Sequence, residues 1–257
     1  METLKLKRRI LVALTALALL PLCIFAQTDG DEQGAVSSGN GPAEIIDRFV
    51  QATEAHEDSL RGVSMQVDIQ ASIVKLKENA TLKALRKISK VGQVSYHVLS
   101  FQGNSTVKND VIARYLNAEQ QGQGDPKLAI SPANYKFKFK GKRDANANGK
   151  VYVFQLSPRK KRVGLFKGEM WLDAETCLPV MEKGRLVKNP SIWFKKVDFE
   201  RDFAIQNGVA IPQHMNSKIE VRLIGLVNLN INYSNFVQNA DDSARAAQML
   251  LTGAGSN

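Results

Sequence analysis

The alternation of apolar and polar residues along this 257-residue chain predicts an α+β fold built on one large, curved antiparallel sheet. Three observations carry the expectation. Nearly every segment after Val63 repeats every second residue, only two stretches repeat at helical spacing, and strands and helices never alternate as parallel βαβ units require. Each strand then has one apolar face, and two amphipathic helices cannot cover so many strands. The sheet is expected to curve over its own apolar side, with the helices covering part of that face and an apolar hollow left inside.

The elements follow in order. Residues 1–26 join a basic start (Lys5, Lys7, Arg8, Arg9) to an apolar run from Ile10 to about Phe25, the pattern of a signal peptide cut after Ala26. An uncleaved anchor is the alternative, and Leu22 before Cys23 is too large for lipoprotein anchoring there. Residues 27–41 are a Gly-, Ser- and acid-rich linker with almost nothing to bury. Pro42 opens the first helix, Pro42 to Leu60, with Ile45, Ile46, Phe49 and Val50 on one face and Gly62 as its stop. Val63, Met65, Val67, Ile69, Ala71 and Ile73 alternate with polar residues as a long half-buried strand, and two more strands flank a break at Val91-Gly92. A second helix runs from Thr106 to Gln120, and a Gly/Pro-rich loop follows it.

Beyond Asn134 the chain reads as strand after strand. YKFKFKGK buries its aromatic side, and VYVFQL and VGLFKGEMWLD flank the basic run Arg159, Lys160, Lys161 and Arg162 as neighbouring strands. Asn207-Gly208 marks a hairpin. On SIWFKKVDFERDF, Trp193, Val197, Phe199 and Phe203 share a face with Lys195 and Arg201, a mixture suited to a cavity rim or to an edge strand. Trp171 falls on the polar face of its strand, covered by a neighbouring segment or turned to a partner. The folded domain is expected over 42–237, and 238–257 is a tail with a short helix around Ala244 to Leu251.

Composition excludes several function classes. Net charge is +10 for the chain and +7 for residues 27–257, with 31 basic and 24 acidic residues. No nucleic-acid motif accompanies that charge, so nucleic acid is not an expected partner. Cys177 is the lone thiol after residue 26, which rules out an internal disulfide framework. His56, His97 and His214 lack metal-ligand spacing, and neither a nucleophile elbow nor a phosphate-binding glycine loop occurs. The expectation is therefore no enzyme, no catalytic residue, no metal and no cofactor. The acid pair Glu119 and Asp125 reads as part of a solvated loop.

The run FQLSPRKKRVGLFKGEMWLDAETCLPVMEKGRLV, followed by KKVDFERDFAIQNGVAIPQHMNSKIEVRLIG and LNINYSNF, resembles the outer-membrane lipoprotein-sorting (LolA-like) superfamily, in an uncharacterised exported branch. The resemblance spans residues 42 to 237. It implies a periplasmic protein whose incomplete barrel binds acyl chains of lipids or lipoproteins, for transport or sorting. An envelope protein-interaction module, a sensor or assembly factor of the same fold with a protein partner, is the alternative. Cavity candidates are Met65, Val67, Ile69, Phe154, Phe166, Met170, Leu172, Ile219, Val221, Leu229 and Ile231, with plain core packing as the competing role of each. Arg159, Lys160, Lys161 and Arg162 are docking candidates for an anionic membrane or an acidic partner, against a solubilising role at a hairpin end.

Overall fold

The computed structural model describes residues 41–122, 124–145, 149–190 and 192–238. The signal-peptide reading of 1–26, nearly all of the 27–41 linker and the tail helix expected around Ala244 to Leu251 lie outside the described residues. Ten strands form one antiparallel sheet: β1 (Val63–Ile73), β2 (Glu78–Ile88), β3 (Val94–Gly103), β4 (Tyr135–Asp144), β5 (Lys150–Pro158), β6 (Phe166–Asp173), β7 (Pro179–Leu186), β8 (Phe194–Gln206), β9 (Val209–Val221) and β10 (Gly225–Gln238). Their order is β3-β2-β1-β10-β9-β8-β7-β6-β5-β4, so β3 and β4 are free edges and the barrel stays open. Two hairpin series meet where β1 pairs with β10, which joins the start of the domain to its end.

Helix α1 (Pro42–Ser59) buries Ile45 and Phe49, and Gly62, at φ 76°, turns the chain into β1. Helix α2 runs through Ser105–Val107, a π-wound turn at Lys108–Ile112, and Ala113–Gly122. The Asn104 side chain caps it by accepting from the Thr106 and Val107 amides at 2.7 and 3.1 Å. The wide turn brings Val107 and Ile112, five residues apart, onto one buried face with Leu116. An ordinary helix would rotate Ile112 away from Val107, so the π turn serves the packing of this face.

Both helices lie on the same concave face of the sheet. Helix α2 covers a core of Met65, Val67, Ile69, Leu82, Leu229 and Ile231. Helix α1 covers a separate one of Tyr135, Phe154, Leu156, Phe166, Met170 and Leu172. Strand register ties the two cores into continuous rows. One inner-face row contributes a residue from every strand: Phe101, Leu82, Ile69, Ile231, Met215, Arg201, Glu182, Met170, Phe154 and Phe139. Period-two patterning in each strand makes such a row apolar, and Arg201 with Glu182 is the exception.

The adjacent row mixes small residues with large apolar ones: Gly103, Ala80, Ala71, Leu229, Ser217, Phe199, Gly184, Gly168, Leu156 and Phe137. Gly168 and Gly184 face one another across β6 and β7. A Cβ on Gly168 would meet the Lys183 carbonyl oxygen at 1.9 Å, and one on Gly184 would meet the Phe166 ring at 2.6 Å. The Phe166 ring lies over Gly184 and stacks edge-on to Phe199 with centroids 4.9 Å apart. Gly168→Ala is therefore expected to cost about 2 kcal/mol or more in urea unfolding. Gly122→Ala, with its nearest neighbour Leu128 at an ordinary 3.6 Å, should stay within about 0.5 kcal/mol of the parent. Equal effects of the two changes would contradict the close approach.

Candidate functional site

Strand β8 occupies a central place in the sheet, paired with β9 on one side and β7 on the other. It is therefore an internal strand, which removes the edge-strand reading of its mixed face. None of its 13 residues is buried. Val197, Phe199 and Arg201 point to the concave face, yet each is only half-buried, although Tyr115 of α2 reaches Met215 on the neighbouring strand β9 and Phe199 packs at the margin of the α1 core. An uncovered apolar strip runs along β8 between the two cores, with the small residues Ser217 and Gly184 beside it.

A band of polar side chains borders this strip on the same face. Arg201 meets Glu182 at 3.6 Å, an ion contact too long for a hydrogen bond. The Glu182 side chain is 10% exposed and that of Arg201 is 38% exposed. Arg201 thus keeps contact with solvent while its partner is nearly closed off from it. Burial raises the Glu182 pKa and outweighs the opposing pull of Arg201. Tyr115 on α2 donates to Met215 Sδ at 3.3 Å, and burial raises the pKa of both Tyr115 and Tyr233.

Further along, Arg86 of β2 binds Glu119 of α2 through Nε and Nη2 at 3.1 and 2.9 Å, and Tyr96 donates to the other Glu119 oxygen. Burial opposes the Arg86 charge, but Glu119 and Tyr96 more than offset this and raise its pKa. Glu119 is thus the half-buried partner of Arg86 and not part of a solvated loop. The signal that could have found this pair is Arg86 itself, which falls in register with Ala80, Leu82 and Ala84 on the buried face.

The structure places Met65, Val67, Ile69, Leu229 and Ile231 in the α2 core and Phe154, Phe166, Met170 and Leu172 in the α1 core. Ile219 and Val221 are half-buried at the edge of the first. All share the concave face, and the strip exposed between the two cores is formed by β8 residues instead. Arg159 donates to the Pro132 and Tyr135 carbonyls at 2.8 and 3.2 Å, and Arg162 to that of Lys127 at 3.2 Å, so both arginines hold the preceding loop. Lys160 and Lys161 remain exposed. On the convex face Trp171 lies under Arg143 and Lys183 at 6.0 and 5.3 Å and donates to Glu169.

An open groove of about 690 Å³ lies mainly against convex-face residues, among them Lys161, Lys167, Lys183, Arg185, Asp198 and Glu200. Its walls are crossed by ion pairs, Lys183 with Glu169 at 3.4 Å and Arg185 with Asp198 at 2.6 Å. Gly184, Leu186, Val187 and Phe199 supply the apolar part of the same lining. Among the described residues no three His, Cys, Asp or Glu side chains gather in a way that could hold a metal ion.

No protein-family model and no curated protein matches the chain. Solved structures similar to it include a DUF1329 family protein from Desulfovibrio piger, at 11% identity and TM-score 0.43, covering 76% of this chain and 92% of that one. A domain named for outer-membrane lipoprotein sorting from Vibrio parahaemolyticus is similar at 11% identity and TM-score 0.39, covering 78% and 96%. A LolA superfamily protein from Nitrosomonas europaea is similar at 10% identity and TM-score 0.33, covering 73% and 92%.

The buried Glu182 gives the site a pH signature. Its folded pKa lies above the unfolded value, so between the two the folded state holds more protons and stability falls as pH rises. Glu182→Gln should flatten the thermal midpoint upward from the ordinary glutamate range, about pH 4.3. An unchanged slope in this variant would contradict a buried, proton-holding Glu182.

Proposed function

We propose that this is an exported envelope protein that binds long acyl chains of lipids or lipoproteins reversibly in the hollow over β8. The observation that carries the reading is a central strand with no buried residue, flanked on one concave face by two apolar cores. A strand left half-open in the middle of a sheet exposes Val197 and Phe199 to water at a free-energy cost that an apolar ligand would remove. The N-terminal basic and apolar run supplies the export expectation.

Magnitudes decide the length of the ligand. Each buried methylene contributes ~0.8 kcal/mol, against an association cost of about 4–15 kcal/mol. A chain of about six carbons gains roughly 5 kcal/mol and is barely retained, whereas one of about sixteen gains roughly 13 kcal/mol. The reading therefore requires long acyl chains. Binding of this kind needs no covalent step.

Solvent extraction of the purified protein followed by mass spectrometry is expected to recover long-chain acyl lipid in near-stoichiometric amount. Val197→Asp places a charge in the strip at a residue that packs against neither core, and should reduce recovered lipid at least several-fold. A stripped protein that also fails to take up a fluorescent long-chain fatty acid would contradict the reading.

A further inference from the structure

The loops at one end of the sheet differ sharply from those at the other. Strand directions bring the β1–β2, β5–β6, β7–β8 and β9–β10 connections to the same end. Nine large apolar side chains are exposed among the described residues, and six belong to this end: Val74, Leu76, Val163, Ile192, Leu223 and Leu226. The other three are Val98 and Leu99 on the edge strand β3, and Val91 at the far end. Ile192 is 77% exposed and Leu223 66%, values that an ordinary soluble surface rarely gives to neighbouring loop tips.

Charge divides the same way. Residues 74–77, 159–165, 187–193 and 222–224 contain eight Lys or Arg and no Asp or Glu. The opposite turns, 89–93, 145–149, 174–178 and 207–208, contain one Lys and one Glu. The tips form one connected surface. Lys75 Nζ reaches the Leu223 carbonyl at 3.5 Å, Arg222 Nε donates to the Ile192 carbonyl at 3.0 Å, and the Val187 amide donates to that of Leu165 at 3.0 Å.

We propose that this end of the sheet docks on an anionic lipid surface, its apolar tips entering the boundary between headgroups and acyl chains while its basic residues meet lipid phosphates. Apolar tips ringed by Lys and Arg, with Glu78 and Glu220 behind them on the strand ends, match such a surface in both hydrophobicity and charge. An acidic protein would match the charge but not the separate apolar tips projecting from four connections. Lys160 and Lys161 thereby gain a role that does not depend on the two arginines beside them, which are engaged with backbone. Strand β8 begins at Phe194, immediately after Ile192 and Trp193, so the uncovered strip opens at the proposed docking end. The inference goes beyond acyl-chain binding and stands on separate observations.

Trp193 supplies the test. With Trp171→Phe it is the sole tryptophan of the full chain, and brominated phosphatidylcholine quenches it only if this end approaches the acyl region. Vesicles containing phosphatidylglycerol should quench Trp193, and phosphatidylcholine alone should do so several-fold less. Quenching should fall several-fold when Leu76→Ser, Ile192→Ser and Leu223→Ser are combined, and also with Lys75→Glu, Lys160→Glu and Lys161→Glu. It should persist with Val91→Ser. Circular dichroism confirms folding of each variant.

Equal quenching without anionic lipid, undiminished quenching in the combined variants, or an unquenched Trp193 on a chain that floats with the vesicles would overturn the proposal. The last result would mean attachment by the N-terminal segment or another face. Lipid extraction from the same proteins separates the two ideas. Bound acyl lipid with an unquenched Trp193 sinks docking alone, and quenching without extractable lipid sinks the acyl hollow alone.

Discussion

One shortage shapes this protein: ten strands present an apolar face, and two helices are available to cover it. Helix α2 seals one end of the face through Val107, Ile112 and Leu116, and α1 seals the other through Ile45 and Phe49. Curvature supplies further cover, and the facing glycines Gly168 and Gly184 allow close approach of β6 and β7. The middle stays uncovered. That remainder is β8, where a fully packed sheet would have its most deeply buried residues.

The polar residues of the concave face are placed where they do least harm to this arrangement. Arg86 and Glu119 satisfy one another and take Tyr96 with them, Arg86 donating twice to one carboxylate oxygen and Tyr96 to the other. Arg201 and Glu182 are held less tightly, and the arginine keeps contact with water. Removing one member of a closed buried pair costs about 3–5 kcal/mol, so the first pair acts as a structural clamp. In the second, water can compensate the charge of the half-exposed Arg201.

Much of the architecture was legible because period two is a local signal. The strand faces of β1, β4 and β9, the Asn207-Gly208 turn, the α1 start at Pro42 and the neighbouring strands around the basic run all follow from residues within one segment. The π turn of α2 was not legible, since it answers to the positions of Val107 and Ile112 over strands distant in sequence. Nor was the open middle, which depends on how far two helices reach. The pattern of β8 did carry a trace of it, because Arg201 sits in register with Phe199 and Val197 on a face that a sealed core would keep apolar. The basic run shows the same limit. Sequence alone could not divide Arg159 and Arg162, which bind backbone carbonyls, from Lys160 and Lys161, which remain exposed.

The central claim is that the face left open over β8 is where an apolar chain lies. Photolabelling with a long-chain fatty acid bearing a diazirine near the middle of its chain tests this most directly, because the label reports position and not mere affinity. Peptide mapping should find adducts concentrated on Val197, Phe199 and their inner-face neighbours in β7 and β9. Adducts confined to the convex face around Lys167 and Glu200, or spread without preference over the surface, would contradict the claim.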